Sequence, residues 1–146
     1  MAEIRGCDLP EDRYYLIEKH VWAVPLDGGI VRVGITSVAA KLSGGKLAAV
    51  TVSGRKVGRE VPQGKSVATI ESSKFVGPVP SPVTGVLVRG NQRLESEPNL
   101  AVADPYGEGW VAELEVAAFD PAGLVTGADG VAAYERFMEA EEISCT

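Results

Sequence analysis

Short segments along the chain alternate between apolar and polar positions with a period of two, a pattern typical of half-buried β-strands. Two of them, 22–26 and 30–35, flank Asp27-Gly28-Gly29, a sequence that predicts a hairpin. Further strands are predicted over 47–52 and over 110–116, because the residues that would face one side of a strand alternate there with the residues that would face the other side. The pattern therefore predicts a mainly β chain.

Two segments have helical features instead. Thr36 or Ser37 can cap a short helix in the N-terminal half, and Gly44-Gly45 ends it. Asp129 can cap a C-terminal helix over about 129–142, whose apolar stripe is expected to pack on the strands. That stripe consists of Val131, Tyr134, Phe137 and Met138.

A loose internal repeat is present in the middle of the chain. Residues 58–71 align with residues 91–104, so that Val61 matches Leu94 and Glu71 matches Asp104. Two similar strand-turn-strand units can interlock around a pseudo-twofold axis and bury one face each. The repeat therefore predicts that both segments form such units.

Lys74 is the most prominent candidate for chemistry. It follows Glu71 in a Glu-x-x-Lys pattern at the end of the apolar strand 67–70, and a Gly-Pro restart comes three residues later. We expect strand 67–70 and a strand over 82–88 to frame a hairpin with Lys74 at its tip. Such a lysine is accessible to an enzyme that attaches a cofactor to the amine, although an ordinary turn lysine has the same pattern.

Composition narrows the classes of function. The chain has 146 residues and 15.3 kDa, enough for one domain, 1–146, with a core over about 15–117. A net charge of −6 argues against nucleic-acid binding, which needs clustered Lys and Arg. No apolar stretch is long enough to span a bilayer and no signal-peptide pattern opens the chain, so we expect a soluble, cytoplasmic protein without a membrane partner.

Catalytic and metal chemistry have little support. His20 is the only histidine, so neither a zinc site nor Ser-His-Asp catalysis is expected, and we predict that the protein is not an enzyme. If this region is extended, His20 and Trp22 share one face of the strand. Cys7 and Cys145 lack redox-motif spacing; they could pair if the termini meet, but a cytoplasmic location favours free thiols.

Several ordered blocks together resemble the lipoyl-carrying H protein of the glycine cleavage system. They are 71–74, 81–85 and 104–110, supported by 20–22 and 33–36 in the N-terminal half. The resemblance implies a flattened β-barrel or barrel-sandwich hybrid with a short helix and a C-terminal helix. It also implies a non-catalytic carrier whose cofactor, lipoic acid, is attached through an amide to Lys74.

The sequence departs from the glycine cleavage pattern at 75–80 and at 4–10. Both departures resemble the lipoate-binding proteins of the heterodisulfide-reductase-like sulfur-oxidation system. The first hypothesis is therefore a lipoyl arm that carries sulfur intermediates for that complex, together with dihydrolipoyl dehydrogenase. The alternative is a carrier of the aminomethyl group of glycine between glycine decarboxylase and aminomethyltransferase, and a remote alternative is an unmodified β-rich interaction module.

The resemblance also suggests roles for individual side chains. A lipoate-protein ligase or lipoyl transferase is expected to recognise Glu71, Ser73 and Gly85. Glu71 could instead only solvate the hairpin end, and Gly85 could instead permit a close backbone approach. His20 and Cys7 are candidates for contact with the arm, with a purely structural histidine as the alternative at the first position.

Overall fold

The computed structural model describes residues 2–74 and 76–146. These residues contain twelve strands, four α-helices and three short 3-10 turns. The strands are β1 (Ala2–Ile4), β2 (Cys7–Leu9), β3 (Tyr14–Leu16), β4 (Val21–Pro25), β5 (Ile30–Ile35), β6 (Ala49–Val52), β7 (Glu60–Val61), β8 (Ser66–Glu71), β9 (Val76–Pro80), β10 (Gly85–Gly90), β11 (Ala112–Glu115) and β12 (Val125–Thr126). The helices are α1 (Ser37–Leu42), α2 (Arg93–Ser96), α3 (Leu100–Ala103) and α4 (Gly127–Ala140).

Two sheets enclose the main core. The larger has the strand order β12-β3-β4-β5-β11-β10-β7, the smaller has the order β6-β8-β9, and β1 and β2 form a separate hairpin. Buried side chains from both sheets pack together, among them Val33 and Leu114 from the larger and Ala68, Ile70 and Val79 from the smaller. This arrangement confirms the expected mainly β barrel-sandwich with helical additions.

The β4–β5 hairpin and α1 follow the local sequence signals. Asp27–Gly29 form a short 3-10 turn between the two strands, with Gly28 and Gly29 at positive φ, which a residue without Cβ adopts readily. Thr36 is the N-cap of α1, and its Oγ1 accepts a hydrogen bond of 3.3 Å from the Ala39 N–H. The predicted hairpin and the predicted cap are both confirmed.

A second apolar cluster lies on the other face of the large sheet. There α4 and the β1–β2 hairpin cover Tyr15 and Trp22, both fully buried, and Tyr134 of α4 is buried against them. The expected docking of the C-terminal helix is confirmed. Asp129 is not its cap, however: the helix begins at Gly127, whose N–H donates to the Glu11 carbonyl, because the preceding residues pair with β3 as β12.

The predicted second strand-turn-strand unit is wrong. Residues 91–104 contain α2 and α3, with local bonds such as that from the Ala103 N–H to the Asn99 carbonyl at 2.8 Å. The apolar positions that matched the first unit, Leu94 and Ala101, are indeed buried, but from helical turns. The spacing of apolar residues therefore predicted correctly that Leu94 and Ala101 face inward, but the predicted secondary structure of this segment was wrong.

The polar side of β11 is also more buried than its alternation predicts. Glu113 is 1% exposed, because Arg32 and Arg89 cover its carboxylate with N–O distances of 2.8 and 2.5 Å. Val111, just before β11, is fully buried as well. Within the described part of the chain, no helix is both long and apolar enough to cross a bilayer.

Candidate functional site

Lys74 lies in the tight turn of the β8–β9 hairpin. The last strand pair before the turn is Glu71 with Val76, and Lys74 lies between them; Phe75 lies outside the described residues. The partner strand is therefore β9 and not the predicted strand over 82–88. β9 contains Pro78, which belongs to the predicted Gly-Pro restart, and also Pro80; prolines are tolerated there because β9 is an edge strand.

The turn fixes the backbone of Lys74 and leaves its side chain exposed. The Lys74 N–H donates to the Ser72 hydroxyl at 3.2 Å, and Ser72 itself is buried at the base of the turn. The strand before the turn, β8, is paired on both sides, with β6 and with β9. An exposed amine therefore stands on a well-anchored strand end.

The lysine side chain extends over Gly44, just after α1. A Cβ added to Gly44 would lie 3.5 Å from Cδ and Cε and 3.8 Å from Nζ of Lys74. Gly44 has φ +94° and Gly45 has φ +81°, so two consecutive residues use the left-handed region. The sequence marked this pair only as the end of a helix and gave no sign of its contact with Lys74.

Glu71 and Ser73, the two predicted recognition residues next to the lysine, are both exposed. The Glu71 carbonyl accepts a hydrogen bond of 2.7 Å from the Ala48 N–H, which ties the hairpin to the segment that follows α1. Both side chains are thus within the surface that an enzyme acting on Lys74 would approach, and their recognition role stays a prediction.

Gly85, the third predicted recognition residue, lies elsewhere in the fold. It begins β10 and pairs with Val61 of β7. A Cβ there would lie 2.9 Å from the Glu115 carbonyl oxygen and 2.9 Å from Val116 Cγ1. Close packing against the β11 end is one reason for a glycine at this position, and its role in recognition by an attaching enzyme stays a prediction.

His20 is packed against the C-terminal helix. Its Nδ1 lies 2.6 Å from the Tyr134 hydroxyl, and its ring stacks on Tyr134 and meets the edge of Phe137. Burial lowers the pKa of His20 to about 4, so the ring is neutral at pH 7. The residue has φ 56° at the end of a 3-10 turn, so the expected strand face shared with Trp22 is wrong.

Cys7 and Cys145 form a disulfide with a Cα–Cα distance of 5.2 Å, so the prediction of free thiols is wrong. The termini meet because the C-terminal tail runs beside the β1–β2 hairpin: the Cys145 N–H donates to the Arg5 carbonyl at 2.9 Å. The Arg5 guanidinium also donates to the Ile143 carbonyl at 2.8 Å. As a disulfide, Cys7 offers no free thiol to an arm on Lys74.

An exposed lysine at the turn of a β-hairpin, on a barrel-sandwich, fits the class of proteins that carry a covalent group on a lysine amine. Residues 13–139 match the family model described as glycine cleavage H-protein. The chain therefore belongs to the glycine cleavage H-protein family. Proteins of this family are non-catalytic carriers with lipoate attached covalently to a lysine.

Individual relatives agree with this assignment. "Glycine cleavage system H protein 2" of Aquifex aeolicus is 39% identical over 147 residues, covering 99% of this chain and 89% of the relative. The Thermus thermophilus H protein is 38% identical over 134 residues, covering 92% of this chain and 98% of the relative. Among solved structures, an H protein from Mycobacterium marinum superposes with a TM-score of 0.72 at 33% identity, covering 86% of this chain and 98% of that one.

Proposed function

We propose that Lys74 is the lipoylated lysine and that the lipoyl arm carries the aminomethyl group of glycine between enzymes of glycine cleavage. The observation that supports this most directly is the geometry of the β8–β9 turn, where Lys74 is exposed and its side chain extends over a glycine. The residues present fit the cofactor, because Lys74 is exposed and an amide to Nζ adds only a flexible chain to its side chain.

The protein contributes placement and not chemistry. When attached, lipoate supplies a dithiolane that exchanges disulfide for thiol and holds the transferred group on sulfur. The chain holds the acceptor amine on an anchored hairpin, places a glycine beside it, and gives partner enzymes a fixed surface to bind. Acylation also converts the Lys74 ammonium into a neutral amide, so a net charge of −6 becomes −6 − 1 = −7.

The partners that follow from this function are of two kinds. A lipoate-protein ligase or lipoyl transferase attaches the cofactor. Glycine decarboxylase, aminomethyltransferase and dihydrolipoyl dehydrogenase then visit the arm in turn. Brief encounters of this kind need a recognisable surface and fast association more than high affinity.

A carrier for heterodisulfide-reductase-like sulfur oxidation is the alternative. Its support is the sequence of the two departures, of which residues 76–80 form β9 and residues 4–10 include the turn and second strand of the β1–β2 hairpin. The relatives named above all carry glycine cleavage names, and the family match covers most of the chain. We therefore favour the aminomethyl carrier and test the sulfur carrier in the same experiment.

The test is intact mass and peptide mapping of the protein purified from its own host without reductant. We expect a lipoyl adduct on Lys74 in the wild type, no adduct in Lys74→Arg, and the wild-type adduct in the matched control Lys65→Arg, which changes another exposed lysine. Incubation with glycine and glycine decarboxylase should then release CO2 and add the mass of methylamine, which is an aminomethyl group on one sulfur and a hydrogen on the other. Extra sulfur on the host-derived adduct would favour the sulfur carrier instead, and a bare Lys74 would overturn the carrier function of this residue.

Cytoplasmic localisation stays a prediction from the sequence. A reducing cytosol opposes disulfides, although intracellular proteins of hyperthermophiles are an exception. Acid quenching of host cells followed by thiol alkylation measures the state of Cys7 and Cys145 directly. Alkylation of both thiols would indicate a reducing compartment. An intact disulfide would indicate an oxidising compartment or a hyperthermophilic host.

A further inference from the structure

The segment at the end of α1, residues 41–46, forms one continuous surface with Lys74. Gly44 lies at its centre, directly under Cδ, Cε and Nζ of the lysine. An enzyme that brings its reactive carbonyl to Nζ must therefore also approach this α1–β6 segment. None of the recognition residues expected from the sequence belongs to it.

Backbone hydrogen bonds hold the α1–β6 segment in place. The N–H groups of Ser43, Gly44 and Gly45 donate to the carbonyls of Ala39, Lys41 and Ala40, respectively, at 2.9 to 3.0 Å. The chain beyond it is fixed by the Leu47 N–H, which donates to Asn99 Oδ1 at 2.7 Å, and the Leu47 side chain is buried. A surface that is already ordered loses little conformational entropy when a partner binds.

The exposed side chains of this surface differ from the rest of the protein in charge. Lys41 and Lys46 are both exposed, in a chain that has 20 acidic and 14 basic side chains. Lys41 also stabilises the carboxyl end of α1, which explains its charge in part. Lys46 lies beyond the helix and has no such role. Glu71 is the exposed carboxylate at the base of the turn, so two ammonium groups outnumber it even after Lys74 is acylated.

Apolar area accompanies these charges. Leu42 is 48% exposed at the end of α1, and Val76 is 64% exposed immediately after the lysine turn. Val76 has the largest exposed fraction among the large apolar side chains in the described residues. Exposed apolar side chains with a charged rim are typical of protein-binding sites.

We propose that the α1–β6 segment is a docking surface for the enzyme that attaches lipoate to Lys74, and that this enzyme presents carboxylates to Lys41 and Lys46. The inference rests on the proposed acylation of Lys74 and identifies a second contact surface for it. Complementary charge next to the acceptor orients the encounter, even though the whole carrier is acidic.

The experiment compares two charge-reversal variants with the same change in net charge. Lys41→Glu/Lys46→Glu alters the segment. Arg59→Glu/Lys65→Glu alters two exposed side chains in the turns that flank β7; Lys65 precedes β8, whose length separates it from the Lys74 turn by about 17 Å. The kcat/KM for lipoate attachment by the ligase of the same host is measured at low and at high salt.

At low salt we expect about a tenfold fall in kcat/KM for the segment variant, mainly through KM, and less than a twofold change for the control. The difference between the two should shrink at high salt, because exposed charges are screened. The neutral variant Lys41→Gln/Lys46→Gln should show a smaller fall. Thermal unfolding of all variants verifies that the comparison concerns folded proteins.

Equal kcat/KM for the segment variant and the control, or a fall that salt does not reduce, would overturn the docking surface. Failure of the proposed function has a different signature. In that case the wild type itself would not be acylated at Lys74, or Lys74→Arg would be acylated as well as the wild type. The two failures are therefore distinguishable in one set of reactions.

Discussion

Acidification should destabilise this protein through His20 at a pH where few other side chains titrate. His20, Tyr134 and Thr36 form a cluster, in which the Tyr134 hydroxyl lies 2.6 Å from His20 Nδ1 and 2.9 Å from Thr36 Oγ1. Burial lowers the pKa of the histidine from 6.5 to about 4. As the pH falls, the unfolded chain therefore binds the proton first, and stability is lost between pH 6.5 and 4.

The size of this loss follows from the two pKa values. With 6.5 in the unfolded chain and about 4 in the folded protein, the free energy of unfolding should fall by about 2 kcal/mol from roughly pH 7.5 to roughly pH 5. The ring is only partly buried, and solvent screening reduces this to about 1–2 kcal/mol. Urea unfolding at the two pH values measures the change directly.

His20→Asn is the matched control, because asparagine tolerates the left-handed conformation that His20 adopts. The carboxylates of the protein are common to both chains, so the difference between their pH dependences isolates the histidine. Since His20 is the only histidine in the sequence, no second imidazole contributes. If His20→Asn loses as much stability on acidification as the wild type, the buried neutral histidine is refuted.

Three further outcomes are expected. Gly44→Asn should slow lipoate attachment more than Gly45→Asn, because a Cβ at Gly44 would already be in van der Waals contact with the Lys74 side chain, so that the amide beyond it crowds the amine, whereas a Cβ at Gly45 has no atom within 4 Å; equal rates in the same kinetic assay would contradict the contact with the lysine. Cys145→Ser should lower the free energy of unfolding by about 2–5 kcal/mol without reductant and should match the wild type with it. Tyr134→Phe should cost about 1–3 kcal/mol in urea unfolding, since it leaves buried polar partners unsatisfied, and a loss below about 0.5 kcal/mol would argue against the cluster with His20.

The features that the sequence predicted correctly depend on neighbouring residues. The Asp27–Gly29 turn, the Thr36 cap and the exposed position of Lys74 are each set within a few positions along the chain. The apolar stripe of α4 is similar, because any face with that spacing must be covered by something. Local backbone preference and side-chain periodicity are sufficient for such features.

The features that were missed depend on tertiary neighbours. β9 contains two prolines, and only its position at a sheet edge makes it a possible strand. The Cys7–Cys145 disulfide joins residues 138 positions apart, and the contact of Gly44 with Lys74 requires α1 to lie beside the lysine hairpin. No local pattern contains this information, which is why the lysine could be predicted and its surroundings could not.

The division of charge in this molecule suggests how one small protein serves several enzymes. Its excess of 20 acidic over 14 basic side chains gives a net charge of −6, which keeps copies of the carrier apart. The surface next to Lys74 instead offers two lysines and two exposed apolar side chains. Under the proposed function, partners that differ elsewhere must all reach the same arm on Lys74, so selection for encounter acts on this small area. The end of β8 can then be rigid, because the flexible lipoyl chain moves during transfer and the protein backbone does not need to move.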